Sequence, residues 1–205
     1  MITTIIGLMN SGKTLYMTYK LYQAYKKGKK IISNYKLSFP HYLINKDWLL
    51  NLAKTDTFIS DRNICLGLDE VWLWFDSRKS GGDDNVMSSY FFLQSSKTDM
   101  EIYLTAQHNM QFDKRIRDNQ HKLIMCNRVL KGKKEYLNID DEKRFLPLKY
   151  QKKLFIKAIS FKRFNFIGET KMLPHSVEYL KASNIFKLYD TTERIKLGDN
   201  IESDK

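Results

Sequence analysis

The chain opens on Ile2-Thr3-Thr4-Ile5-Ile6, a β-branched run that breaks at Gly7, and such a run predicts a short strand. From Thr14 to Lys27 the apolar positions recur at helical spacing, with Leu15, Tyr19 and Tyr22 on one face. Lys29 to Ser33 then predicts a second strand, closing the strand, loop, helix, strand unit from which parallel sheets are built. A helix near Asp47 to Ala53 follows. The mostly apolar run Asn63 to Leu68 suits a strand covered on both faces, and it ends in two acids. The polar, glycine-containing stretch Ser77 to Asn85 predicts a loop, and Val86 to Ser96 a helix whose face carries Val86, Tyr90 and Leu93. Further strands are predicted at Ile102 to Ala106 and Leu123 to Val129. From Tyr136 onward the pattern changes to short alternating strands such as Leu154 to Ile159, with no further βα repeat.

These elements predict an α/β fold: a mainly parallel central sheet flanked by helices in residues 1–135, a strand-rich extension packed on it in 136–198, and a flexible charged tail in 199–205. The length of 205 residues suffices for one substantial core, and no composition break divides it. Charge narrows the partners. Lys and Arg number 35 against 23 Asp and Glu, a formal +12 that favours a polyanion over a small neutral ligand. The excess is uneven, since Arg128 to Lys171 holds 13 basic against 5 acidic residues, a local +8. Cys65 and Cys126 sit inside apolar runs and are expected as small core residues in a reducing compartment. The histidines at 41, 108, 121 and 175 are too scattered for a structural metal. No apolar run approaches the ~20 residues of a membrane span, and no signal-peptide pattern opens the chain, so a cytoplasmic placement is expected. Trp48, Trp72 and Trp74 read as core or packing surface.

Gly7-Leu8-Met9-Asn10-Ser11-Gly12-Lys13-Thr14 satisfies every defined position of the P-loop pattern and lies between a predicted strand and a predicted helix. Glycines there let the backbone curl so that its N–H groups converge on phosphate, while the helix presents its positive end to the same charge. Lys13 is expected at the β and γ phosphates of ATP, and the Thr14 hydroxyl on Mg²⁺.

Asp69 and Glu70 stand where a buried strand ends, the position from which parallel sheets deliver groups to a ligand crevice. Asp69 is expected to hold the water shell of magnesium. Glu70, pointing elsewhere because successive strand residues alternate, is expected to polarise the attacking water. Gln107, at the end of the next strand, is placed beside the γ phosphate if that strand lies between the P-loop strand and the Asp69 strand. Its amide can donate to phosphate and accept from water; the alternative is a plain strand-end glutamine making a turn. Arg115 and Arg117, flanked by Asp113 and Asp118, offer an arginine that neutralises transition-state charge across a subunit boundary, or else a surface ion-pair network.

Taken together, the P-loop, Asp69-Glu70 with Phe75-Asp76-Ser77-Arg78, the Thr105-Ala106-Gln107 strand end, Asp113 to Arg117 and Phe186 to Thr191 resemble the FtsK–HerA superfamily of DNA-pumping ATPases. The likeness is to the branch of Zot-like phage assembly proteins and viral genome-packaging ATPases. That resemblance implies a RecA-like core with an additional strand between the P-loop strand and the Asp69-Glu70 strand. It also implies a glutamine sensor at Gln107 and assembly into a ring, commonly a hexamer, in which Arg115 or Arg117 acts on the neighbouring subunit's nucleotide. No apolar run in these 205 residues matches the membrane segment typical of Zot-like phage proteins.

The implied function is an ATP-driven motor that translocates double-stranded DNA without regard to sequence and packages a viral or mobile-element genome. It would work in the host cytoplasm or with the virion, docked on a capsid or assembly protein. Arg78 and Lys79 either face the channel or belong to an ordinary solvated loop, since nothing in their spacing distinguishes the two. The alternatives are a small nucleotide kinase, which also begins with a strand and P-loop, and an assembly or scaffolding protein that binds nucleotide only as a switch. Substitution of Glu70 by Gln separates motor from switch.

Overall fold

The opening β-branched run becomes strand β1 (Ile2–Ile6), an interior strand with a parallel neighbour on each side. The computed structural model describes residues 1–55, 63–74, 91–92, 95, 100–132, 136–138, 153–166 and 169–189. Among them the remaining strands are β2 (Lys30–Ser33), β3 (Tyr42–Leu43), β4 (Ile64–Leu68), β5 (Glu101–Ala106), β6 (Lys122–Lys131), β7 (Tyr136–Asn138), β8 (Leu154–Phe166) and β9 (Glu169–Lys181). They form one sheet in the order β3-β2-β4-β5-β1-β6-β8-β9, with β7 also paired to β6. Every pair from β3 to β6 along this order is parallel, whereas β7, β8 and β9 join antiparallel. The fold is therefore α/β with a mostly parallel sheet, and β5 lies between β1 and β4.

Parallel strands need both faces covered, and two apolar clusters do this. Helix α1 (Lys13–Lys26) lies over one face through Leu15, Met17, Leu21 and Ala24, together with Ile5, Cys65 and Cys126 from the strands. On the other face, Ile2, Leu66, Leu68, Ile102 and Leu104 pack with Phe91, Phe92, Phe112 and Ile116. Helix α2 (Lys46–Thr55) adds Leu49, and helix α3 (Lys114–Asn119) adds Ile116. Both cysteines are buried and free, as their apolar runs implied. The buried side of α1 is broader than the stripe of Leu15, Tyr19 and Tyr22: Tyr16, Met17 and Leu21 are buried completely, while Tyr19 and Tyr22 sit half-buried at its margin. A segment far along the chain explains this, because Leu188 and Tyr189 pack against the same cluster. Ser38 N–H donates to the Leu188 carbonyl at 2.9 Å, and the Ser38 hydroxyl to that of Lys187 at 2.8 Å.

The C-terminal strands are longer than their broken alternation suggests, at 13 residues each for β8 and β9. Leu154, Ile156, Ala158 and Ser160 turn one face of β8 inward at period 2. The other face is half-exposed, so Lys157 is tolerated there. A bulge between Ser160 and Phe161 leaves His175 without a cross-strand partner, and Pro174 sits on β9 at the sheet edge, where a missing N–H breaks no ladder. Of the tryptophans, Trp74 is buried and Trp72 half-buried, but Trp48 is exposed.

Candidate nucleotide-binding site

The segment Gly7 to Gly12 leaves the end of β1 and curls into α1. The curl depends on glycine at two points. Gly7 has φ 154°, and a Cβ there would lie 2.4 Å from Ser11 Oγ and 2.5 Å from the Cys126 carbonyl oxygen. Gly12 caps α1 with φ 93°, and its Cβ would lie 2.3 Å from Ile156 Cδ1. Asn10 takes the left-handed conformation between them, at φ 62°. Leu8 and Met9 form the exposed crown of the loop. Ser11 N–H donates to the Leu8 carbonyl at 3.1 Å. The first helical bond runs from Tyr16 N–H to the Gly12 carbonyl at 2.9 Å. The N–H groups of Lys13, Thr14 and Leu15 thus precede the helix ladder, and no side chain caps them. Ser11 Oγ is buried without a hydrogen-bond partner. Unpaired donors, a helix N-terminus and an orphaned hydroxyl make a cradle whose chemistry fits phosphate. The fit extends to the Lys13 ammonium, which bends back over the loop to donate to the Leu8 carbonyl at 3.1 Å and lies 3.6 Å from Glu70 Oε1.

The acids at the tip of β4 meet this loop. Thr14 Oγ1 donates to Asp69, 2.9 Å from Oδ1 and 3.0 Å from Oδ2. Thr105 Oγ1, on β5, donates to Asp69 Oδ1 at 2.6 Å and accepts from Glu70 N–H at 2.7 Å. Asn34, just past β2, fixes the backbone of Asp69 from the other side. Its amide donates to the Asp69 carbonyl at 2.9 Å and accepts from Asp69 N–H at 2.7 Å. Burial pushes the Asp69 carboxyl up to about 6, with Thr105, Thr14 and Lys13 pulling down and Glu70 pushing further up. Glu70 is left-handed at φ 46°, ψ 46°, a conformation that costs a non-glycine residue free energy and gathers at functional sites. That twist turns its carboxylate toward Lys13 and the indole N–H of Trp72, which donates to Oε2. A hydroxyl and a carboxylate side by side, next to a phosphate cradle, fit magnesium, which binds through one or two carboxylates plus substrate phosphates.

Gln107 follows β5 directly, and its carbonyl accepts from Gly7 N–H at 3.3 Å, which fastens it to the start of the P-loop. Its side chain is half-buried. Arg115 and Arg117 lie on α3, which Asp113 caps by accepting from Arg115 N–H at 2.8 Å. The Arg115 guanidinium is exposed, 3.9 Å from Asp113 Oδ2. That of Arg117 rests against Met110 Sδ. Neither arginine touches Lys13, Asp69 or Glu70 of its own chain among the described residues. The segment Phe75 to Arg78, Lys79, the loop 77–85 and most of the helix expected over 86–96 lie outside the described residues, as do Asp190, Thr191, much of the basic 128–171 stretch and the tail.

Three residues central to this geometry were given no role at the acids by sequence: Asn34 was not named, Thr105 entered only within the Thr105-Ala106-Gln107 strand end, and Trp72 only as core or packing surface. A signal existed for two of them, since Asn34 and Thr105 are polar residues at the C-terminal ends of strands in a parallel sheet, where ligand crevices form.

No protein-family model matches the sequence, and no curated protein matches it either. Solved structures do. The N-terminal domain of zonular occludens toxin from Neisseria meningitidis superposes with a TM-score of 0.57 at 15% identity, over 92% of this chain and 98% of that one. The genome packaging NTPase B204 from Sulfolobus turreted icosahedral virus 2, in complex with ATP-gammaS, superposes with a TM-score of 0.52 at 13% identity, over 85% and 96%. Among the described residues no helix is long and apolar enough to cross a membrane. At these identities the likeness establishes architecture, and the chain has the RecA-like P-loop NTPase fold.

Proposed function

We propose that this protein hydrolyses Mg²⁺-ATP to move double-stranded DNA, acting as a homo-oligomeric ring, commonly a hexamer, that packages a viral or mobile-element genome. One observation carries the reading: Lys13, the Thr14–Asp69 pair and Glu70 converge where the neighbouring parallel strands β1, β5 and β4 end. The N–H groups from Gly12 to Leu15 would hold the phosphates, and Lys13 would exchange its Leu8 and Glu70 contacts for the β and γ phosphates. Thr14 and Asp69 would hold magnesium, which when bound neutralises charge on the phosphate oxygens. Glu70, freed from Lys13, accepts a proton from water as the water oxygen bonds the γ phosphorus and ADP leaves with the electrons of the broken bond. Gln107 orients that water and registers the γ phosphate, and Arg115 or Arg117 reaches the nucleotide of the adjacent subunit. The duplex is held through its phosphates by the basic surface, hence without sequence preference. Arg78 and Lys79 are proposed to face the channel, with a capsid or assembly protein as the docking partner.

The deciding experiment measures ATPase rate with and without duplex DNA across protein concentration. Stimulation that rises cooperatively as subunits associate supports the motor. Transfer of phosphate to a nucleoside monophosphate rejects it. Glu70→Gln is expected to keep ATP binding and lower turnover about 10²–10⁴-fold; a scaffold that uses nucleotide only as a switch would hardly respond.

A further inference from the structure

A polar cavity of about 330 Å³ opens between α1 and the sheet at the start of β1. Parallel pairing sets Tyr103, Thr3 and Lys122 side by side on β5, β1 and β6, and Lys20 and Gln23 of α1, with Lys27 at its C-cap, line the same cavity. Thr3 lies four residues before Gly7, ~13 Å along a strand, so this cavity is separate from the P-loop. Its floor holds an unanswered group: Thr3 is 1% exposed, and its hydroxyl has no hydrogen-bond partner. Buried hydroxyls are ordinarily paired, and an orphan marks a missing partner.

The charge is unanswered too. One acid, Glu101, lines the cavity itself, but it is engaged by Lys29 at 2.8 Å and by the Tyr103 hydroxyl at 3.2 Å, and nearby Glu178 is engaged by Lys20 at 2.9 Å. Lys27 and Lys122 make no ion pair among the described residues. Burial, and then the adjacent Lys20, hold the Lys122 ammonium below its usual range, with Lys162 adding and Glu178 opposing. Donors therefore face the cavity from the sheet and from the helix, with a surplus of positive charge and a buried hydroxyl between them. A neutral or cationic ligand leaves that surplus standing. A tetrahedral oxyanion offers acceptors in several directions at once, and the volume falls at the small end of the ~300–1,000 Å³ range of ligand pockets.

We propose that this cavity binds a small phosphate-bearing anion independently of the P-loop. The inference goes beyond the motor reading and does not depend on it. Its test is calorimetric titration of the full chain with pyrophosphate at low salt, in a Lys13→Ala background that disables the P-loop. One equivalent is expected to bind, and Lys122→Met to weaken it about tenfold, the loss of one charge-assisted contact. Thr3→Val, which keeps the β-branched shape and the fold, is expected to weaken it by a smaller factor, with thermal melts confirming both variants are folded. Absence of binding in the Lys13→Ala protein, or binding indifferent to both further substitutions, overturns the proposal. A duplex DNA titration separates the sources of phosphate. Duplex affinity unchanged by Thr3→Val keeps the site for a free anion, whereas an equal loss overturns that assignment in favour of the DNA backbone.

Discussion

Asn34 illustrates how a single residue can matter more than its local sequence shows. Its side chain closes both main-chain groups of Asp69, so Asn34→Ala leaves a buried N–H and a buried C=O unpaired. A cost of about 2–4 kcal/mol is expected, from ~1–2 for each group, measured as a shift in the urea midpoint at constant slope. Thr105 acts on both acids through one hydroxyl, donating to Asp69 and accepting from Glu70 N–H. Thr105→Val should therefore lower kcat while leaving KM for ATP nearly unchanged, a split that simple unfolding would not produce. Strand-end position marked both residues as candidates, but which group each meets was decided only when β2 and β5 came to lie on either side of β4, since Asn34 and Asp69 are 35 positions apart. The P-loop was legible because its chemistry is contiguous: the same eight residues that make the motif make the turn.

At the scale of elements, the packing of α1 on the sheet sets which changes are tolerated. A Cβ at Gly67 on β4 would lie 2.6 Å from Leu21 Cδ1 of α1. Gly67→Ala is expected to cost about 1–3 kcal/mol through overpacking. Leu21→Val in the same chain should recover part of that loss, and a double-mutant cycle reads the coupling. The far strand β9 also reaches α1, where Tyr16 Oη and Lys20 Nζ donate to Glu178 Oε2 at 2.8 and 2.9 Å. Burial would raise the Glu178 carboxyl, but these donors outweigh it and hold it below the ordinary 4.5. For an acid whose folded value is depressed, the stabilisation is present above the unfolded value and disappears as pH falls through the folded one. Glu178→Gln should thus be less stable than the parent at pH 7, by under about 1 kcal/mol because the pair is partly solvated. The gap should narrow as pH falls below 4.5. Local composition found β1, β4 and β5, whose apolar and β-branched residues from Ile2 to Ile6, Ile64 to Leu68 and Ile102 to Ala106 are interrupted by no charge. It shortened β8 and β9, because an edge hairpin with one open face admits lysines and a proline that read as interruptions.

On the scale of the whole molecule, exposed Arg115 and half-buried Arg117 of α3 bear on the ring proposed above. If Arg115 or Arg117 completes a neighbour's site, its substitution by Ala should leave ATP binding intact and lower turnover by about 10³-fold or more. Mixing such subunits with Glu70→Gln subunits should restore part of the activity, since each supplies what the other lacks; an inert mixture would place the arginine's role within its own chain. Binding to duplex DNA should weaken steeply as salt rises from about 50 to 200 mM, by the release of counterions from the phosphates. What the sequence determined by itself was whatever is encoded in neighbouring residues: the strand-loop-helix curl around Gly7 to Thr14, the two acids at a strand tip, the α/β alternation and the basic balance. What only the tertiary structure decided was adjacency. The insertion of β5 between β1 and β4 brings Thr105 to Asp69 and Gln107 to Gly7, Asn34 is brought under Asp69, and the hairpin β8–β9 is carried back onto α1. Local sequence acts through backbone preference and period, which are felt within a few residues. Contacts between strands far apart in the chain arise from the shared burial of two sheet faces, which no single segment encodes.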